Sequence, residues 1–166
     1  MRKMIAPLAA AAMLTACGSD NSETVSADEG EYSIDAESGE TTATVQTEDG
    51  TATFRSGADV PVDLPPGFSL YPGATVTSNS RFEQEGGGGQ VVLLSFESED
   101  SSEQIAQFYR DAASEAGFKI AVDASMNGGQ LITGESKNGG VFTLSTSAEE
   151  GKTLAQLTTG LGEITP

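Results

Sequence analysis

The sequence predicts an α+β fold, an antiparallel sheet with one long helix on one face, in the order β-β-α-β-β-β-β and preceded by a β-hairpin segment. Three observations predict it. One stretch, residues 101–117, has the apolar spacing of a long helix. The segments around it have strand-like apolar patterns, and short Gly-containing turns join several of them. Because one helix cannot cover two sheet faces, we expect it to pack on one side only.

The hairpin segment comprises residues 31–57. Asp49-Gly50 between two alternating stretches is a strong hairpin signal. If these two residues form the turn, the numbers of paired residues sum to 99, and Val45 faces Phe54. A lone hairpin is marginal in water, so this segment either docks on the main domain or is only partly ordered.

The core domain, residues 58–166, begins with a proline-rich arm, "ADVPVDLPPGFSLYPG" (58–73), which carries five of the six prolines. We interpret it as an extended entry arm whose packing anchors are Leu64, Phe68, Leu70 and Tyr71. Aromatic side chains on a rigid arm can also be binding anchors. Phe68 and Tyr71 are therefore candidate partner contacts, with core packing as the alternative.

Two strands are predicted before the helix. The first spans about 74–83, where Ala74, Val76 and Phe82 share one parity. The second, "QVVLLSF" (90–96), is apolar on both faces and is typical of a central strand. The glycines of residues 86–89 form a loop between them, and no helix follows that would make a phosphate cradle.

The helix has clear start and stop signals. Asp100 or Ser101 can cap it, and Glu103 or Gln104 completes a capping box. Gly117 is placed to end it. Its apolar stripe consists of Ile105, Phe108, Tyr109, Ala112 and Ala116.

Four strands are predicted after the helix. The first is a half-buried strand with one apolar face made of Phe118, Ile120, Val122, Ala124 and Met126. Turns at residues 127–129, 137–140 and 149–152 separate the others. With Glu150 and Gly151 at the centre of the last turn, paired numbers sum to 301, so Leu144 faces Leu157.

The N-terminus has the pattern of a targeting segment. A basic start is followed by an apolar run over residues 4–14. This run is shorter than the ~20 residues of a membrane span but fits the ~7–15 residues of a signal-peptide core. Leu14-Thr15-Ala16-Cys17 resembles the lipobox of bacterial lipoproteins, an aliphatic residue and two small ones before a cysteine. The alternative is a secreted protein with a free thiol.

The lipobox resemblance implies that residues 1–16 are a signal peptide and that Cys17 becomes the first residue of the mature chain. It implies a diacylglycerol thioether on Cys17 and a fatty acyl group, such as palmitate, on its amine. Residues 17–30 are then a lipidated, flexible tether, since they are small, polar and acidic. Gly18, rather than Asp, follows the cysteine. This implies the periplasmic side of the outer membrane, or otherwise the outer face of the cytoplasmic membrane.

A second resemblance concerns the folded domain. "YPGA" (71–74) followed by "SSEQIAQFYRDAASEAGF" (101–118) is similar to a pattern in small, uncharacterised envelope lipoproteins. It implies a fold and a compartment but no reaction. Many of those proteins have Trp where this chain has Phe118.

Composition excludes several functional classes. The chain has 25 acidic and 8 basic residues, a net charge of −17. Loss of Arg2 and Lys3 with the signal peptide leaves 6 basic residues and a charge of −19. Such a charge argues against binding nucleic acid. Histidine is absent, so no Ser-His or Cys-His pair exists. We predict no catalytic, metal or cofactor residue, and we assign the acidic residues of 97–103 to helix capping and solvation.

The predicted function is therefore not enzymatic. We expect a lipid-anchored, periplasm-facing binding or scaffolding module of the cell envelope, with an envelope protein as partner. The alternative is a carrier or sensor of a small or apolar ligand held between helix and sheet. A pocket lined by Ile105, Phe108 and Val92 would favour the carrier. A solid core with an exposed apolar patch would favour the binding module.

Overall fold

A computed structural model of the chain describes residues 22–27, 30–35, 39–47, 50–85 and 89–161. These residues form ten strands and one helix. In chain order, the elements are β1 (Ser22–Ala27), β2 (Gly30–Asp35), β3 (Thr41–Thr47), β4 (Gly50–Gly57), β5 (Thr75–Gln84), β6 (Gln90–Ser98), α1 (Ser102–Glu115), β7 (Phe118–Met126), β8 (Gly129–Ser136), β9 (Gly140–Glu149) and β10 (Lys152–Leu161).

All ten strands belong to one antiparallel sheet in the spatial order β1-β2-β3-β4-β5-β6-β10-β9-β8-β7. The helix lies between β6 and β7 in the chain and packs on β7, β8 and β9. From β5 onward the element order is β-β-α-β-β-β-β. The predicted α+β class, with one helix on one face of an antiparallel sheet, is therefore confirmed.

The N-terminal segment extends the sheet of the core. β4 pairs with β5, so the predicted hairpin docks on the main domain through backbone hydrogen bonds. Residues 22–27, which we assigned to a flexible tether, form β1 and pair with β2. The structure differs here from the prediction, because the backbone of this segment forms an antiparallel ladder with β2.

The register of the β3–β4 hairpin differs from the prediction. Val45 pairs with Ala52, Ala43 with Phe54 and Thr47 with Gly50, so paired numbers sum to 97 rather than 99. Gly50 therefore belongs to the strand and not to the turn. A shift of two residues preserves the side-chain faces, so the same apolar residues still share one side of the sheet.

The last hairpin has the predicted register. Leu144 pairs with Leu157 and Thr146 with Ala155, with numbers that sum to 301. Glu150 in the turn has a φ of 48° and Gly151 a φ of 86°. Two successive residues at positive φ are typical of the type I′ turn, whose twist matches that of the flanking strands.

The helix begins as predicted. Ser101 is its N-cap, and a capping box with Gln104 is complete. Gly117, at a φ of 80°, follows the last turn. The buried stripe consists of Ser102, Ile105, Ala106, Tyr109 and Ala113, so it is rotated from the predicted one and leaves Phe108 half-buried.

Two β-bulges change which residues share a face. The register shifts between Val76 and Ser78 in β5, and between Ile120 and Val122 in β7. The prediction that each strand keeps one apolar parity was wrong, because the extra residue of a bulge inverts the alternation beyond it. β7 is mostly exposed rather than half-buried.

The helix and the proline-rich arm cover the same face of the sheet, called here the inner face. Its fully buried side chains include Val92, Leu94, Phe96, Phe142, Leu144 and Leu157. The arm is held to this face by Asn79, whose amide donates to the carbonyls of Val60 and Pro61. The opposite side of the sheet is called the open face.

Candidate functional site

The inner face holds a closed core where a carrier would need a pocket. Val92 and Ile105, two of the three side chains predicted to line that pocket, are 1% and 0% exposed. Phe108 is half-buried at the margin, with its ring centroid 5.3 Å from that of Tyr71. Because Val92 and Ile105 are closely packed in the core, the predicted pocket between the helix and the sheet is filled by side chains.

The two candidate partner contacts on the arm belong to this core. Phe68 is buried, and its ring lies 5.3 Å from that of Phe142 and 5.4 Å from that of Phe118. Tyr71 is also buried, and its hydroxyl donates to Asp100 Oδ2 at 2.8 Å. Their role in partner contact stays a prediction that this burial does not favour.

Burial and hydrogen bonding also account for the tyrosine pKa values. Desolvation, followed by the hydrogen bond to Asp100 and its charge, raises the pKa of Tyr71. Burial raises the pKa of Tyr109, whose hydroxyl donates to the Ser69 carbonyl at 3.1 Å. Both hydroxyls therefore stay protonated. They connect the arm to the helix and to Asp100, the residue before its N-cap, which is a structural role.

The open face carries an exposed apolar surface. Eleven large apolar side chains are exposed in the described part of the chain, and strand register places all but Ile120 on this face. The ten open-face residues are Val45, Phe54, Phe82, Val91, Leu93, Val122, Met126, Leu131, Val141 and Leu154. Single exposed apolar residues are ordinary, whereas a contiguous set marks an interaction surface.

The centre of this surface is a row of residues that crosses the strands. Phe54 pairs with Phe82, and Phe82 pairs with Val91. Gly160 continues the row between Val91 and Val141. Cross-strand neighbours on one face lie about 4.5–5.5 Å apart, so Phe54, Phe82 and Val91 form an apolar band, which Gly160 separates from Val141.

Charged residues are few on the open face. Alternation and register place five on it in β3–β10, namely Lys119, Lys152, Glu97, Glu135 and Glu149. Lys152 Nζ lies 2.6 Å from Glu97 Oε1. The local charge of the face is therefore close to zero, although the chain as a whole carries −17.

Three of the four acidic residues around the helix start have hydrogen-bond or ion-pair partners within the chain. Glu97 pairs with Lys152, and Asp100 accepts the Tyr71 hydroxyl. Glu103 accepts from Arg110 at 2.9 Å and from the Gln130 amide at 2.7 Å. In the described residues, no group of three or more acidic or cysteine side chains is arranged to hold a metal ion.

The Glu103 contacts are part of a polar network between the helix and the edge strand. Arg110 donates to both carboxylate oxygens of Asp123, at 2.8 and 3.1 Å. These hydrogen bonds and the charge of Arg110 lower the pKa of Asp123, and the pKa of Arg110 is raised in return. The network orients β7 against α1, and its groups are engaged with one another.

Sequence reasoning did not identify the open face as a site, although the signal was present. The run "QVVLLSF" is apolar on both faces, which we interpreted as the mark of a central strand. β6 is central, between β5 and β10, yet of its large apolar side chains only Val92, Leu94 and Phe96 are covered. The other apolar side chains of the strand, Val91 and Leu93, point to the opposite face of the sheet. No described residue of this chain covers them, which indicates a surface that another molecule could cover.

Comparison with known proteins gives one similarity. A family model described as START domain-like matches residues 76–152, from β5 to the start of β10. The match covers less than half of the chain and includes α1 together with most of the inner-face core. No curated protein matches the chain. No solved structure matches it either.

Cys17, the predicted lipidation residue, lies outside the described part of the chain, as do the predicted signal peptide (residues 1–16) and residues 18–21 and 28–29 of the predicted tether. Asp49 of the predicted turn and the first three glycines of the 86–89 loop also lie outside it. Among the described residues, no helix has the length and apolar character that crossing a bilayer requires.

Proposed function

We propose that this chain is a non-catalytic binding module, anchored by lipid on Cys17 to the cell envelope, that docks a partner on the open face of its sheet. The observation that carries the proposal is the set of ten exposed large apolar side chains on that face. Transfer of apolar surface out of water contributes about 25 cal/mol per Å² before the entropic cost of association, so a surface of this kind favours docking.

Because the inner face is closed, docking of a partner on the open face is favoured over binding of a ligand between the helix and the inner face. Leu94, Ile105 and Tyr109 are fully buried where α1 meets the sheet. A ligand in that position would have to separate packed side chains, at a cost comparable to that of a core cavity. The open face needs no such rearrangement.

The residue inventory supports a role without catalysis. The chain has no histidine, and its single cysteine is the residue we propose to be acylated. The two tyrosines with raised pKa values are occupied in holding the arm. None of these groups is a nucleophile paired with a base.

The anchor would hold the docking surface at a membrane. Each buried CH₂ of an acyl chain contributes about 0.8 kcal/mol, and stable anchoring needs about two chains. A lipidated Cys17 carries two or three, so the lipid alone would suffice.

A carrier or sensor of a small ligand is the second candidate function, and the START domain-like match is the observation that favours it. That similarity is consistent with a ligand-binding module in a general sense. The ligand would have to lie on the open face or enter the core by an opening of α1, because the inner face is filled.

Anchoring is tested by Cys17→Ser. We expect the variant to incorporate no radiolabelled palmitate and to keep its signal peptide uncleaved, because the acceptor thiol is gone. Labelling of the variant at the wild-type level would contradict the lipid anchor.

Docking is tested by a photo-crosslinking amino acid in place of Phe82, with Ile120 as the matched control. Both side chains are 40% exposed, but register places Phe82 on the open face and Ile120 on the inner side of β7. In intact cells we expect a crosslinked adduct from position 82 and none from position 120. Equal adducts from both positions, or none from position 82, would contradict docking on the open face.

A further inference from the structure

We propose that the occupant of the open face is the open face of a second copy of this chain, in a symmetric dimer. This inference rests on the proposed function, since it names the partner of the same docking surface. Sheets that pack face to face do so about 10 Å apart with interdigitated side chains. A symmetric dimer brings the same patch of both copies together, so the patch must be complementary to itself.

Charge is the first requirement for self-association. Two mature copies, each with the charge of −19 expected after loss of Arg2 and Lys3, repel one another unless the contact region is neutral. The open face meets this condition, because its two lysines nearly offset its three glutamates. One of those charges, Glu97, is already paired with Lys152. A strongly basic partner would find no acidic surface here, whereas a second copy offers a neutral one.

Shape is the second requirement. The pairing of β6 with β10 divides the eight strands β3–β10 into two sets of four. The set β3-β4-β5-β6 carries the two large rings, Phe54 and Phe82. The set β10-β9-β8-β7 carries five aliphatic side chains on this face but no aromatic ring. Thr158, Thr143 and Thr133 form one of its cross-strand rows, and Gly160 lies beside them.

A two-fold axis along the β6–β10 pair relates the two sets. It places β5 of one copy over β9 of the other, and it sets Val91 of one copy over Gly160 of its partner, a large side chain against a small one. Phe82 of one copy then faces Val141 of its partner, since both belong to the same cross-strand row. Alternation of large and small side chains across facing positions is what lets layers interdigitate.

Area is the third requirement. Six neighbouring strands of the sheet, in the spatial order β4-β5-β6-β10-β9-β8, are eight to ten residues long. At about 4.8 Å between strands and about 3.3 Å per residue, they present about 750 Å². A standard stable interface buries about 800 Å² per partner. The open face is therefore large enough for a stable dimer.

The test is sedimentation velocity of the purified, detergent-solubilised mature protein, with circular dichroism to verify folding. We expect the wild type to dimerise and Phe82→Glu to weaken the dimer at least tenfold, because the centre of an interface dominates its energy. Ile120→Glu adds the same charge at the same exposure on the other side of the sheet, and we expect it to dimerise as the wild type does.

A second substitution tests the arrangement itself. Within one chain, Phe82 and Val141 lie three strand spacings apart, about 14 Å, too far to pair directly. Across the proposed axis they meet, so Phe82→Glu combined with Val141→Lys should restore dimerisation. Failure of this pair to restore it, or equal loss in Phe82→Glu and Ile120→Glu, would overturn the arrangement.

The outcome also separates this inference from the proposed function. A monomeric wild type whose position 82 crosslinks to another envelope protein in cells would overturn the second copy as occupant and leave the docking surface in place. A monomer with no crosslink at position 82 would overturn both.

Discussion

Arg110 is the residue that connects the helix to the edge strand. It donates to both oxygens of Asp123 in β7 and to Glu103, about two turns earlier on the same side of the helix. The β7 bulge makes this contact available, since register beyond it places Asp123 on the inner side opposite Ile132. Without the bulge, Asp123 would lie on the open face and Arg110 would lack this partner.

This pair gives a prediction about pH. The pKa of Asp123 lies below its usual 3.8 because Arg110 stabilises the carboxylate. A carboxyl group whose pKa is lower in the folded than in the unfolded state stabilises the fold fully at pH values above its unfolded-state pKa. That contribution is lost as the pH falls through the folded-state pKa. NMR titration should therefore give Asp123 a pKa below 3.8 in the wild type and a higher one in Arg110→Gln. An unchanged Asp123 titration in Arg110→Gln would contradict the pair.

At the scale of single residues, the features that depend only on neighbouring residues, such as the helix caps, could be predicted from the sequence. Ser101, Gln104 and Gly117 act as predicted because capping depends on neighbours within a few positions. The partners of Arg110 were not predictable, because they depend on a bulge that the alternation in residues 118–126 does not signal.

At the scale of elements, close packing between strands depends on Gly134 in β8. It pairs with Phe142 in β9, and a Cβ at this position would overlap the Phe142 ring. Phe142 also packs against Phe68 and Phe118, so its ring is confined by the arm and by β7. The absence of a side chain at Gly134 is what lets these elements meet.

We therefore expect Gly134→Ala to destabilise the protein by about 1–3 kcal/mol, the usual range for an overpacked core. The matched control is Gly160→Ala in β10, where the new Cβ would meet Val91 at an ordinary 3.4 Å. Urea unfolding monitored by circular dichroism measures both. Equal midpoints for the two variants would show that Phe142 moves aside without cost.

The sequence predicted the positions of the helix and strands well, but it predicted less well which side chains of a strand share a face. Turn chemistry located β8, β9 and β10 and set the Leu144–Leu157 register. The β3–β4 register was two residues off, because Gly50 continues the strand instead of forming the turn. Parity was wrong where a bulge intervenes, as at Ile120 and Val122, since a bulge is fixed by tertiary packing.

At the scale of the whole molecule, the two faces of one sheet have different environments. The inner face is covered by α1 and by the arm, which together bury Leu94, Phe96 and Leu157. The open face presents Phe54, Phe82 and neighbouring aliphatic side chains with little charge. A chain of net charge −17 thus keeps its largest apolar surface almost free of charge.

The sequence predicted the one-sided helix and therefore an uncovered sheet face. It did not identify which residues lie there, because the apolar phase of each strand can be assigned to a face only after register and bulges are known. The candidate site is for this reason a property of the assembled sheet and not of any local motif.

The most direct test of the central claim is carbene footprinting of the open face in native membranes, compared with the same chain unfolded in urea. The account predicts strong protection of Phe54, Phe82 and Val91 in membranes, with Ile120 labelled in proportion to its 40% exposure. Labelling of Phe82 at the same level as Ile120 in native membranes would contradict a docked open face.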